Sequence, residues 1–140
     1  MAAETTIAAK ADRVLKVLLD FDSYPSWSGL SDVKVLAENK SIGEYLITCK
    51  LNSGGFSDEL DIKISQRDAT TIVWELVDSN LIAQLTGEFQ VAPLDDIHCR
   101  VIYELDIRFK NPIMNMMKKS IEGQMIAKLL ERLAKRAVEA

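Results

Sequence analysis

The sequence predicts an α+β domain in which a curved antiparallel sheet wraps around one long C-terminal helix. Three observations predict it. Apolar and polar residues alternate through six segments from about Val33 to Phe109, the period of half-buried strands. Short breaks with turn chemistry join these segments, so consecutive strands become hairpin neighbours. One amphipathic stretch after Pro112 is then the only element left to cover the apolar face of the sheet.

The elements follow in order. Thr5 to Ala9 reads as a short first strand. Val14, Val17, Leu18 and Phe21 recur at i, i+3, i+4 and i+7, which makes one amphipathic helix, with Asp12 in its first turn where the helix dipole favours a carboxylate. In Asp22-Ser23-Tyr24-Pro25-Ser26-Trp27 the proline biases Tyr24 away from α geometry, so a turn or short broken helix is expected there.

Five of the six alternating segments then show their inner faces plainly. Tyr45, Ile47, Cys49 and Leu51 share one, followed by Phe56, Asp58, Leu60, Ile62 and Ile64, and by Ile72, Trp74 and Leu76. Leu81, Ala83, Leu85, Gly87, Phe89 and Val91 continue the series, and Ile97, Cys99, Val101, Tyr103, Leu105, Ile107 and Phe109 finish it. The expected turns are Asn52-Ser53-Gly54-Gly55, Arg67-Asp68-Ala69, Asp78-Ser79-Asn80 and Pro93-Leu94-Asp95-Asp96. A one-residue slip or bulge would reverse the facing of any strand beyond it.

The final helix opens at Pro112, suited to a first turn, and extends to about Glu139. Ile113, Met114, Met117, Ile121 and Met125 form one apolar stripe, and Ile126, Leu129, Leu130, Leu133 and Ala137 form another, rotated by well over a right angle. A straight helix cannot point both at one surface, so a bend or change of partner is expected near Gly123. Its Met-rich first half suits either an adaptable binding surface or an ordinary core with gap-filling methionines.

Composition narrows the class. A chain of 140 residues, 48% hydrophobic and 27% charged, has the size and balance of a single domain spanning 1–140. No stretch approaches the ~20 apolar residues that span a bilayer, and Met1-Ala2-Ala3-Glu4 lacks the basic and apolar regions of a secretion signal, so a cytoplasmic protein is expected. The net charge of −4 divides into +3 over residues 111–140 and −7 elsewhere, and a mostly acidic body speaks against nucleic-acid binding. Cys49 and Cys99 lie in strand interiors without metal-ligand spacing and read as buried thiols; no metal or cofactor is expected.

The order strand, helix, short broken helix, six strands and long helix resembles the START-like, helix-grip (SRPBCC) superfamily, which includes polyketide cyclase/dehydrase-like and coenzyme-Q-binding-like proteins. Its carriers are Ile7-Ala8-Ala9 before Val14 and Leu18, the D-x-x-x-Y-P-x-W stretch from Asp20 to Trp27, and Asn111-Pro112 opening a helix that contains Ile121-Glu122-Gly123-Gln124. Lys10 departs from the proline often found there. The resemblance implies a β-α-α-β6-α helix-grip fold with an internal cavity, but no single activity.

No GxSxG, GxGxxG, P-loop or HExxH motif occurs, and His98, the one histidine, falls on the solvated face of its strand. Asp58 is the most informative polar residue, since period 2 sets its carboxylate on an apolar face. There it would act as an acid, base or ligand anchor with a raised pKa, or sit at the wet end of the strand. Tyr45, Tyr103 and Trp74 offer donors from the inner face, with Cys49 and Phe89 beside them. Trp27 belongs to the segment that the resemblance sets near a cavity mouth. Met117, Ile121 and Gln124 would cross the open face of the sheet, Gln124 as a buried amide seeking a partner. The basic residues of the last helix form either a solvated face or a stripe for transient contact with anionic lipid.

The leading expectation is therefore binding or transport of a hydrophobic small molecule, such as a lipid, isoprenoid quinone or polyketide-like aromatic. The contact set is Trp27, Tyr45, Cys49, Asp58, Trp74, Phe89, Tyr103, Met117, Ile121 and Gln124. The alternatives are a cyclase or dehydratase using Asp58 with Tyr103, and a protein-interaction module without a ligand.

Overall fold

Alternation at period 2 and short turns produce a meander in the computed structural model, which describes residues 1–53 and 56–139. The strands are β1 (Ala2–Ile7), β2 (Leu30–Asn39), β3 (Glu44–Ser53), β4 (Phe56–Gln66), β5 (Thr71–Ser79), β6 (Ile82–Pro93) and β7 (Cys99–Phe109). They pair antiparallel in the order β1-β7-β6-β5-β4-β3-β2, so the first strand returns to lie beside the last. The helices are α1 (Ala11–Leu19), a 3₁₀ helix over Phe21–Ser26, α2 (Pro112–Met116) and α3 (Lys118–Glu139). This is the α+β, helix-grip architecture expected from the sequence. The Gly-Gly half of the turn expected at Asn52-Ser53-Gly54-Gly55, and the facing of Phe56, lie outside the described residues.

The first strand starts earlier than its composition suggests. Pairing with β7 draws Ala2 to Ile7 into the sheet, from Ala2 opposite Glu104 to Ile7 opposite Cys99, and the strand stops before Ala9. Lys10 then precedes α1 with φ −68° and no side-chain cap. That φ lies in the range a proline ring imposes. Val14, Val17 and Leu18 turn inward, as the helical spacing requires.

The inner faces of β3, β4 and β7 follow the alternation, with Ile47, Cys49, Leu51, Leu60, Ile62 and Ile64 buried and the odd-numbered residues from Cys99 to Phe109 buried without exception. On β6 the facing changes once. Ile82 pairs with Phe109 and Gln84 with Arg108, so Ala83 is an extra residue in a bulge. Ile82 is therefore buried and Ala83 exposed, the reverse of strict alternation, while Leu85 to Val91 keep their predicted side. Ile97 precedes β7 and is exposed.

The largest departure is in the C-terminal helix. It is interrupted at Met117, with φ −98° and ψ 6°, rather than at Gly123, which continues inside α3. Asn111 caps α2 by accepting from the Ile113 N–H at 2.8 Å, and Asn115 Oδ1 accepts from the Phe109 N–H at 2.8 Å. These bonds tie the short helix to the end of β7 and leave Ile113, Met116 and Met117 exposed. α3 then begins with a new phase and buries Ile121, Glu122, Ile126, Leu130, Leu133 and Ala137. It lies chiefly against β7, β1 and α1. No helix among the described residues is long and apolar enough to cross a membrane.

Candidate ligand cavity

Because α3 leans on the β1 and β7 side of the sheet, a gap remains where it passes over β4 and β5. That gap is a cavity of about 100 Å³. Leu60 and Ile62 of β4, Trp74 of β5, Leu85 of β6 and Tyr103 of β7 form its sheet wall. Met125 and Leu129 of α3 form the opposite wall. Ser28, Gly29 and Leu30, with Lys128 and Arg132 of α3, form the rim. Specific ligand pockets of drug size hold ~300 Å³ or more, and a space of ~150 Å³ accommodates a benzene ring. As it stands, this cavity fits one small ring or a short acyl segment.

Aromatic side chains close the rest of the concave face. The 3₁₀ helix projects Tyr24 onto Trp74, stacked at 5.8 Å and 12°, and Trp27 meets the Tyr24 edge at 5.3 Å. Phe89 stacks flat on Tyr103 at 4.2 Å and 2°. Gly87 makes that position possible, since a Cβ there would come within 3.3 Å of Tyr103 Cε1. The Tyr24 hydroxyl donates to the Leu18 carbonyl, tying the aromatic cluster to α1.

The side chains singled out by sequence separate into groups. Trp74 and Tyr103 line the cavity. Phe89, Cys49 and Ile121 are buried, and Tyr45 is half-buried with its ring 5.1 Å from Phe21. Trp27 borders a second, shallower groove with Arg132, Lys135 and Arg136. Met117 is 52% exposed, and Gln124 is exposed. The break at Met117 shifts the helical phase, and the buried polar position falls on Glu122 instead, 3.6 Å from the Met1 ammonium. His98, outside β7, holds Nδ1 3.0 Å from Asp95 Oδ1.

Asp58 fastens a neighbouring turn. It is only 5% exposed and does not line the cavity. Its carboxylate accepts from the Ser79 hydroxyl, the Leu81 N–H at 3.0 Å, the Asn80 N–H at 3.3 Å and the Glu59 N–H at 2.8 Å. Burial pushes its pKa up, but these donors together outweigh burial and hold it below the usual carboxylate value. The raised pKa expected of an acid catalyst is thus replaced by that of a turn anchor for the β5–β6 hairpin.

Donors are present at the cavity and beside it. The Trp74 indole N–H is buried without a hydrogen-bond partner among the described residues, as is that of Trp27 at the second groove. The Tyr103 hydroxyl makes no hydrogen bond to a described residue, and burial drives its pKa far up, so it remains a protonated donor. Burial, and then the Asp61 carboxylate, push the Cys49 thiol to about 12, and both cysteines are free. No group of side chains that would hold a metal ion occurs among the described residues. The rim was not legible in the sequence, although Gly29, at φ 87° between Ser28 and Leu30, carried a turn signal.

Residues 7–134 match the family described as polyketide cyclase/dehydrase and lipid transport. Among solved structures, the chain is similar to a START superfamily protein from Mycobacterium smegmatis, at 19% identity and TM-score 0.92 over 99% of this chain and 97% of that one. It is also similar to the Zhui aromatase/cyclase from a Streptomyces species, at 16% identity and TM-score 0.88 over 98% of this chain and 92% of that one. A Thermus thermophilus protein superposes at TM-score 0.83 with 17% identity, over 99% of this chain and 97% of that one. No curated protein matches the sequence. The match over 7–134 and the shared START-like fold make the chain a member of the polyketide cyclase/dehydrase and lipid transport family.

Proposed function

We propose that this protein binds and carries a hydrophobic small molecule, a lipid, isoprenoid quinone or polyketide-like aromatic, between α3 and the concave face of the sheet. The observation that carries this reading is a largely apolar cavity whose walls include Trp74, its indole N–H buried without a hydrogen-bond partner among the described residues, and Tyr103, whose hydroxyl makes no hydrogen bond to a described residue. A buried donor without an acceptor costs about 1–3 kcal/mol, which a ligand carbonyl, ether or hydroxyl would recover. A ligand longer than one ring would require α3 to swing from the β4 and β5 side. On that side, among the described residues, Arg132 Nη1 donates to the Ser28 carbonyl at 3.4 Å. A carrier reading also agrees with Asp58 being committed to the β5–β6 turn.

The test is native mass spectrometry of the protein from its own host, with organic extraction of what it carries, alongside Leu85→Phe. Leu85 lines the cavity, and the larger ring would fill part of the 100 Å³. A co-purifying apolar molecule that the variant carries at least about fivefold less is the expected result. A clean apo mass for the natural protein, unchanged after incubation with lipid, quinone and aromatic polyketide pools, would overturn the reading in favour of a protein-interaction module.

A further inference from the structure

We propose that the cavity rim is an oxyanion clamp: Lys128 and Arg132 hold the carboxylate or phosphate head of an amphiphile whose apolar body lies against Trp74 and Tyr103. This inference rests on the cavity being a hydrophobic binding site and adds the chemistry of the ligand head.

Four observations carry it. Lys128 and Arg132 stand one helical turn apart on α3 and border the same cavity as Met125 and Leu129, so one face of the helix is apolar inward and cationic at the rim. No Asp or Glu borders that cavity, and neither cation has a carboxylate within ion-pair distance among the described residues, although acids outnumber bases 21 to 17 in the chain. Elsewhere Lys50, Lys63, Arg67, Arg100 and Lys118 each have a carboxylate partner. The rim is also shaped around the guanidinium. Gly29, at φ 87°, lacks the side chain that would meet Arg132 Nη1 at 2.4 Å.

Arg132 Nη1 donates to the Ser28 carbonyl at 3.4 Å, a long bond to a neutral acceptor. An oxyanion would give the same guanidinium two parallel charge-assisted bonds, and Lys128 would add a second positive charge from the next turn. Exchanging one acceptor for the other releases the contact between α3 and the Ser28 segment. Head-group capture and opening of the mouth would then be the same event.

The experiment compares ligands that share one apolar body: 2-naphthoate, 2-naphthyl phosphate and 2-naphthylmethanol. Binding is followed by the two tryptophan indole N–H resonances in 1H–15N spectra of the natural protein, Arg132→Gln and Lys128→Gln. At low salt an anion should bind about tenfold tighter than the alcohol, with the Trp74 signal moving, and Arg132→Gln should bring them within about twofold. Either anion binding more tightly supports the clamp and identifies the head. Equal affinity for anions and alcohol in the natural protein overturns the clamp while leaving the cavity reading intact. Failure of all three to bind overturns both. An anion preference that survives both substitutions, in variants whose spectra show the native fold, overturns the assignment to these residues. Inorganic phosphate shifting the rim as strongly as the naphthyl ligands, with Trp74 unmoved, overturns the amphiphile.

Discussion

The guanidinium of Arg132 lies over Gly29 so closely that a β-carbon on the glycine would stand 2.4 Å from Nη1. Two costs would meet in Gly29→Ala. The φ of 87° disfavours any L side chain by about 1–2 kcal/mol, whereas the tip of a long arginine moves aside at little expense. The expected outcome is a loss of about 1–2 kcal/mol in urea denaturation that persists undiminished when Gly29→Ala is made in an Arg132→Ala background. A penalty that disappears in the double variant would show that the close contact, and not the backbone, sets the requirement for glycine.

Asp58 should behave as a structural anion. Asp58→Ala removes the acceptor of four donors and is expected to cost about 3 kcal/mol at neutral pH. Since the folded protein holds this carboxyl below its ordinary value, its contribution is fully present above that value and fades as pH falls through the folded pKa. The gap between natural protein and variant should therefore narrow below about pH 4, with ligand affinity unchanged once the variant is folded. A gap that stays constant down to pH 2 would assign the loss to packing instead of charge.

Two buried tyrosines provide a matched pair. Tyr24→Phe strands the Leu18 carbonyl that now accepts its hydroxyl proton and should cost about 1–2 kcal/mol. Tyr103→Phe leaves no group of a described residue unpaired, so stability should stay within about 0.5 kcal/mol while affinity for a ligand that accepts its hydrogen bond falls severalfold. Comparable destabilisation in both would mean that the Tyr103 hydroxyl has a protein partner.

What could be read in advance follows from what each signal measures. Period 2 located Trp74 and Tyr103 on the inner face because β7 runs without a bulge and Trp74 lies clear of the irregularity in β5. It failed at Ala83 because a bulge leaves no compositional mark. The helix break was expected at Gly123, where propensity is poor, and occurs at Met117, a good helix former, because Asn111 and Asn115 fasten the preceding turn to β7. Asp58 was correctly found on the inner side, but its partners Ser79 to Leu81 lie on the next hairpin, beyond the reach of a one-strand pattern. The rim was hidden for the same reason, since Arg132 and Ser28 meet across 104 positions.

The pairing of β1 with β7 also has a consequence in time. Ala2 to Ile7 can find their places only opposite Glu104 to Cys99, so a chain growing from its amino end presents its first strand long before the complementary edge exists. The edge of β7 in turn stays open until that strand returns. Sheet closure is therefore a late event of biosynthesis, and the interval before it is when a nascent chain is most exposed to pairing with a neighbour on the same messenger.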